Sequence, residues 1–124
     1  MHKSRLAGFI IDCQTNDLEG AAAFWSAALG LESQGADGPT YVRLDGRSRD
    51  MTIEVQQVPH PSRVHLDIES DDVEAEVARL ERLGAKRVEA IRTWVVMEAP
   101  TGQRFCVVRA KKELEGSPGV RRWG

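Results

Sequence analysis

The segment from Val64 to Gly84, VHLDIESDDVEAEVARLERLG, carries two hydrophobic periods in succession. Val64, Leu66 and Ile68 alternate with His65, Asp67 and Glu69, the period of a half-buried strand. Val73, Val77, Leu80 and Leu83 then recur at helical spacing and predict a buried stripe, with Glu and Arg on the solvated face. Asp71 with Glu74 reads as a helix start, and Gly84 stands where a left-handed cap closes a helix. The N-terminal stretch GFIIDCQTNDLEGAAAFWSAALG has the same order. Phe9 to Cys13 predicts a strand that includes Asp12, after a polar lead-in over 2–7. Asn16 with Glu19 can form a capping box. Leu18, Ala21, Ala22, Trp25, Ala28 and Leu29 share one helical face, and Gly30 closes the helix. The two copies are offset by about 55 residues, nearly half the chain, so the pattern describes one unit made twice.

The remaining segments are shorter. Gly35, Gly38 and Pro39 mark a loop. Thr40 to Leu44 predicts a strand, followed by the turn signal Asp45-Gly46 and the charged stretch Arg47 to Asp50. Met51 to Val58 is a clearer strand, with Met51, Ile53 and Val55 on one face and Thr52, Glu54 and Gln56 on the other. Pro59-His60-Pro61-Ser62 cannot continue a sheet, because proline lacks the ladder donor. Strands over Lys86–Ala90, Arg92–Met97 and Gln103–Arg109 complete the second copy, with a turn at 99–102. The charged tail, 111–124, has little to pack and is expected to fray unless Trp123 docks on this subunit or a neighbouring one. The predicted organisation is a single domain over 1–124, with module 1 at about 6–58, a linker at 59–63, module 2 at about 64–110 and a flexible tail at 111–124.

Composition narrows the function classes. The chain has 124 residues and a net charge of -2. It is long enough to bury a core without a staple, and no basic footprint points to nucleic acid. Cys13 and Cys106 fall in apolar runs and read as buried thiols rather than a disulfide, which suits a cytoplasmic setting. The apolar run GFII is halted by Asp12, too short for a signal core, and no segment is long enough to span a membrane. No nucleophile triad order, phosphate-cradling glycine loop or paired-cysteine zinc signature is present.

Three stretches, DLEGAAAFWSAALGLE, VHLDIESDDVEAEVARLERLGAKRV and WVVMEAPTGQRFCVV, together resemble the vicinal oxygen chelate superfamily: glyoxalase I, bleomycin-resistance proteins and extradiol dioxygenases. They are similar to its first-helix signature, its second-module opening and its closing hairpin, and the nearest subgroup is that of glyoxalase-like domains. The resemblance implies an α+β fold of two tandem βαβββ modules forming a cupped mixed β-sheet with the helices outside. It also implies a small-molecule site in the cup and a homodimer. Metal-dependent members place one ligand on each of four strands. Here His65 and Glu54 match two of these positions, Cys106 matches a third, and the first falls on Gly8 or Phe9, which bind no metal. His60, His2 and Asp12 are candidates for the missing ligand. The expected site is therefore a cup without a complete metal site and with no cofactor, lined by Asp12, Thr52, Glu54, Gln56, His65, Asp67, Trp94 and Cys106. Its acidic lining suits a cationic or hydroxyl-rich ligand, as in antibiotic sequestration. Two alternatives stand beside it. One is a metal-dependent lyase, isomerase or dioxygenase in which His65 and Glu54 hold a divalent ion or act as acid and base. The other is an interaction module.

Overall fold

A computed structural model describes residues 1–124 as nine strands, two α-helices and one short 3-10 turn. The order is β1 (His2–Gln14), α1 (Leu18–Leu29), β2 (Ser33–Ala36), β3 (Tyr41–Leu44), the 3-10 turn Arg47–Arg49, β4 (Thr52–Val58), β5 (Arg63–Ser70), α2 (Val73–Arg82), β6 (Lys86–Ile91), β7 (Trp94–Glu98), β8 (Arg104–Arg109) and β9 (Arg121–Trp123). The predicted α+β class and the βαβββ order, made twice, are the observed ones. The helix starts, 18 and 73, differ by 55 residues. No helix is long and apolar enough to cross a membrane. The chain forms two compact units, Gly8–His65 and Met1–Ala7 together with Leu66–Gly124.

In the unit Gly8–His65 the strands run β2-β3-β4-β1. β1 and β4 are parallel, from Gly8 opposite Thr52 to Gln14 opposite Val58. β3 and β4 are antiparallel, with Arg43 opposite Glu54 and Tyr41 opposite Gln56. As the alternation predicts, Ile53 and Val55 turn to α1 and join Ala22, Val42 and Leu44 in the core, with Phe9, Cys13, Leu18 and Trp25 against it. Each buried aliphatic side chain contributes about 1.5–3 kcal/mol. The helix ends at Leu29 with Gly30 as its left-handed cap, as predicted, but its start and the last part of its apolar face differ. Asp17, not Asn16, is the N-cap, accepting from the Gly20 amide, and Leu29 and Ala28 are exposed. β2 was not predicted, because every one of its residues is exposed and no apolar alternation announces it. Arg47 accounts for part of the charged stretch. Its guanidinium clamps both Asp45 oxygens at 2.9 Å, and that bond with the positive charge holds the Asp45 carboxyl at about 2.

In the other unit the strands run β5-β8-β7-β6, with β5 and β8 parallel and the rest antiparallel. Val77, Leu80, Val95, Met97 and Val107 form its core. Leu83, expected in the stripe, is 67% exposed. Asp72 rather than Asp71 caps α2, accepting from the Ala75 amide. The larger corrections lie at the two ends of the chain. Residues 2–7, expected as a polar lead-in, are the first half of β1, with His2, Ser4, Arg5 and Ala7 buried. The flexible tail is likewise replaced by structure. Leu114 is fully buried, and β9 pairs antiparallel with β1, Trp123 opposite His2. Polar side chains can be buried here because each is matched. Arg5 bonds Glu69 at 2.8 Å, and the Trp123 indole donates to Ser4 Oγ at 2.9 Å.

Candidate functional site

The face of the β3-β4-β1 sheet turned away from α1 carries half of the predicted site residues. The parallel register sets Asp12 beside Gln56 and Ile10 beside Glu54, while Tyr41 and Arg43 flank them from β3. Because side chains alternate along a strand, Thr52, Glu54 and Gln56 share this face with Asp12. Such a face could have been apolar. Instead Asp12 is 2% exposed and Glu54 9% exposed.

His65 closes on this face from the end of the unit. Its Nδ1 lies 2.6 Å from Asp12 Oδ2. A carboxylate only accepts, so Nδ1–H donates to Asp12. The sequence reading paired His65 with Glu54, whereas the carboxylate that orients it here is Asp12. Glu54 Oε2 stands 3.9 Å from Arg43 Nε, and the same guanidinium bonds Asp37 at 3.0 Å. Arg63 Nε comes within 4.0 Å of Asp12 Oδ2. The other carboxylate oxygen, Asp12 Oδ1, is buried and accepts no hydrogen bond. A buried carboxylate with one oxygen unmet is costly to keep. Nothing in the strand pattern required it.

One position of the four-ligand arrangement has no donor in this chain. An added Cβ at Gly8 would lie 1.9 Å from the Thr52 carbonyl oxygen, so β1 and β4 approach too closely there for any side chain. The next residue, Phe9, packs into the α1 core. Of the residues offered for the missing position, His2 is bonded to Glu76 at 2.8 Å. His60 lies in the 59–62 turn, 2.9 Å from the Pro61 carbonyl. Asp12 is the one beside His65. Cys13 turns toward α1, where burial pushes its thiol up, a hydrogen bond with Trp25 opposes this and the Asp12 charge adds to it, so a thiolate is disfavoured. Both cysteines are free and half-buried rather than fully buried.

The remaining predicted residues lie in the second unit. Asp67 and Cys106 are register partners across β5 and β8. Trp94 opens β7 and lines a cavity near the start of α2. The sequence reading passed over Arg43 and Arg63. The one signal for Arg43 was its place on β3 opposite Glu54.

Residues 8–108 match the profile of a family described as a glyoxalase-like domain. No curated protein matches the chain. Among solved structures, a hypothetical protein of Bacillus halodurans is 13% identical, with a TM-score of 0.67 over 89% of this chain and 96% of its own. A methylmalonyl-CoA epimerase variant of Streptomyces coelicolor, bound to 2-nitronate-propionyl-CoA, is 14% identical, with a TM-score of 0.62 over 87% and 98%. Homoprotocatechuate 2,3-dioxygenase of Brevibacterium fuscum, bound to 3,4-dihydroxyphenylacetate, is 18% identical, with a TM-score of 0.58 over 85% of this chain but 36% of its own. At these identities the likeness is one of fold.

Proposed function

We infer from one premise, that this chain belongs to the glyoxalase-like domain family of the vicinal oxygen chelate superfamily, that it binds a small hydroxyl-bearing molecule on the Asp12–Glu54–His65 face without the four-ligand metal of its metal-dependent relatives. The observation that carries this reading is the buried Asp12–His65 pair, 2.6 Å apart, on the face that does not pack against the helix. Folding alone had no use for it, since an apolar pair of similar volume is often as stable. His65, 14% exposed at its side chain, is the accessible member. Asp12 fixes the ring through Nδ1, and a ligand hydroxyl would meet the imidazole from the exposed side. Gln56 and Thr52 offer further hydrogen bonds from the same face. One fold neighbour was solved with a ligand bearing hydroxyls on adjacent carbons, 3,4-dihydroxyphenylacetate. This supports a ligand of the catechol or vicinal-diol class.

A second reading, a metal-dependent lyase, isomerase or dioxygenase, rests on Glu54 and His65 matching two family ligand positions. Elemental mass spectrometry separates the two readings. Untagged protein incubated with nickel, zinc, manganese and ferrous iron, then dialysed, is expected to hold no stoichiometric metal. Near-stoichiometric metal that both Glu54→Ala and His65→Ala remove would replace binding with chelate chemistry. The proposed setting is a cytoplasmic homodimer, for which light scattering on the purified chain is the check of the assembly.

A further inference from the structure

A separate cavity of about 390 Å³ lies in the unit that contains α2. Its walls are the start of α2 (Asp71, Asp72 and Glu74), the turn between β6 and β7 with Arg92 and Trp94, and Arg109 at the end of β8. Acids and bases both line it, so what matters is which charges are already matched. Asp71 accepts the Lys3 amide at 2.8 Å and has the Lys3 ammonium at 3.9 Å. Asp72 is spent on the Ala75 amide at 3.0 Å. Glu74 bonds the Arg87 guanidinium at 2.9 Å. Neither the Arg92 nor the Arg109 guanidinium makes an ion pair or a hydrogen bond. Asp72 keeps its charge, since an amide is neutral, but the two guanidiniums outnumber it and the net unmatched charge in this cavity is positive.

The turn adds an independent observation. Ile91 pairs with Trp94, so Arg92 and Thr93 form a two-residue hairpin loop. Arg92 has φ 52°, a left-handed conformation for which Asn or Gly is the usual choice. An arginine stands at a position where the backbone alone would favour a smaller residue, and it is among the residues that line the cavity.

We propose that this cavity is a second binding site, for a small planar anion whose carboxylate or phosphate meets Arg92 and Arg109 and whose flat apolar part lies on Trp94. Two guanidiniums suit an oxyanion because their paired donors match its geometry, and a volume of about 390 Å³ fits a small-molecule pocket. The site shares no residue with the Asp12–His65 face, so either can fail without the other. Phenyl phosphate titrated into the full ¹⁵N-labelled chain tests it, with benzyl alcohol as the uncharged control. The expected result is a saturable shift of the Trp94 indole and the Arg92 and Glu74 amides, weakened about tenfold or more by R92G and by R109Q. R92G is informative because glycine suits the left-handed turn, so the loop stays intact while the charge is gone. No saturation at millimolar phenyl phosphate would overturn the proposal. So would equal affinity for benzyl alcohol, or an R92G variant that binds within about twofold of the native chain.

Discussion

Two histidine–carboxylate pairs in this chain have a buried carboxylate, and they differ in how fully their polar atoms are used. Glu76 is fully buried, yet both its oxygens are matched. His2 Nε2 and Arg79 Nε each lie 2.8 Å from Oε1, and Arg79 Nη2 lies 2.8 Å from Oε2. Arg79 in turn stacks on Trp123 at 3.9 Å. Burial alone would push the Glu76 carboxyl up. The hydrogen bonds from Arg79, His2 and Ser4 overcome that and hold it at about 2. Asp12 is buried nearly as deeply, but one of its oxygens bonds His65 while the other accepts nothing. A closed polar network ties chain termini to a helix, whereas one with an unmet atom is better explained by something outside the fold. Under the proposed function, the first pair serves stability and the second serves binding.

That contrast can be broken by experiment. Glu76→Ala leaves a buried His2 and Arg79 without their partner and should cost about 3–5 kcal/mol in urea denaturation. A loss under about 1 kcal/mol would show that the closed network holds little. Trp123→Ala should cost about 2 kcal/mol, by removing the stack under Arg79 and the bond to Ser4. Proteolysis of the tail, now released, should accelerate in the same variant. Asp17→Ala, which deletes the α1 cap, should cost about 1 kcal/mol. Asp12→Asn keeps an acceptor beside His65 and removes a charge that is only half matched, so stability should change by no more than about 1 kcal/mol.

The pH dependence sharpens the same comparison. A carboxyl held at about 2 in the fold, against the ordinary 4.5, stabilises fully above 4.5. That contribution falls away as pH drops from 4.5 toward 2, because the unfolded chain takes up the proton first. Urea midpoints measured across this range should fall steeply for the native chain and less steeply for Glu76→Gln. Parallel slopes would mean that other carboxylates carry the acid loss.

The fold was largely legible where one face meets a core. The alternation over Thr52–Val58 and the stripe of Val73, Val77 and Leu80 correspond to buried positions, since apolar burial writes a period into the sequence. Residues 2–7 were not legible, because His2, Ser4 and Arg5 look like surface residues until Glu76, Trp123 and Glu69 are brought to them from across the chain. Glu76 was read as part of the solvated face for the same reason. The site was half legible. Asp12, Glu54 and His65 were all candidates, but the pairing of His65 with Asp12 rather than Glu54 depends on strand register, which no local pattern encodes. Arg63 carried no signal of its own, and Arg43 only its place opposite Glu54.

The most direct test is calorimetric titration of 3,4-dihydroxyphenylacetate and catechol into the native chain, Asp12→Asn and Glu76→Gln. If the open pair is the binding pair, Asp12→Asn weakens binding about tenfold or more with little change in thermal midpoint. Glu76→Gln should lower the midpoint and leave affinity in the folded range unchanged. An Asp12→Asn variant that binds as tightly as the native chain, or a native chain that binds neither probe, would contradict the assignment.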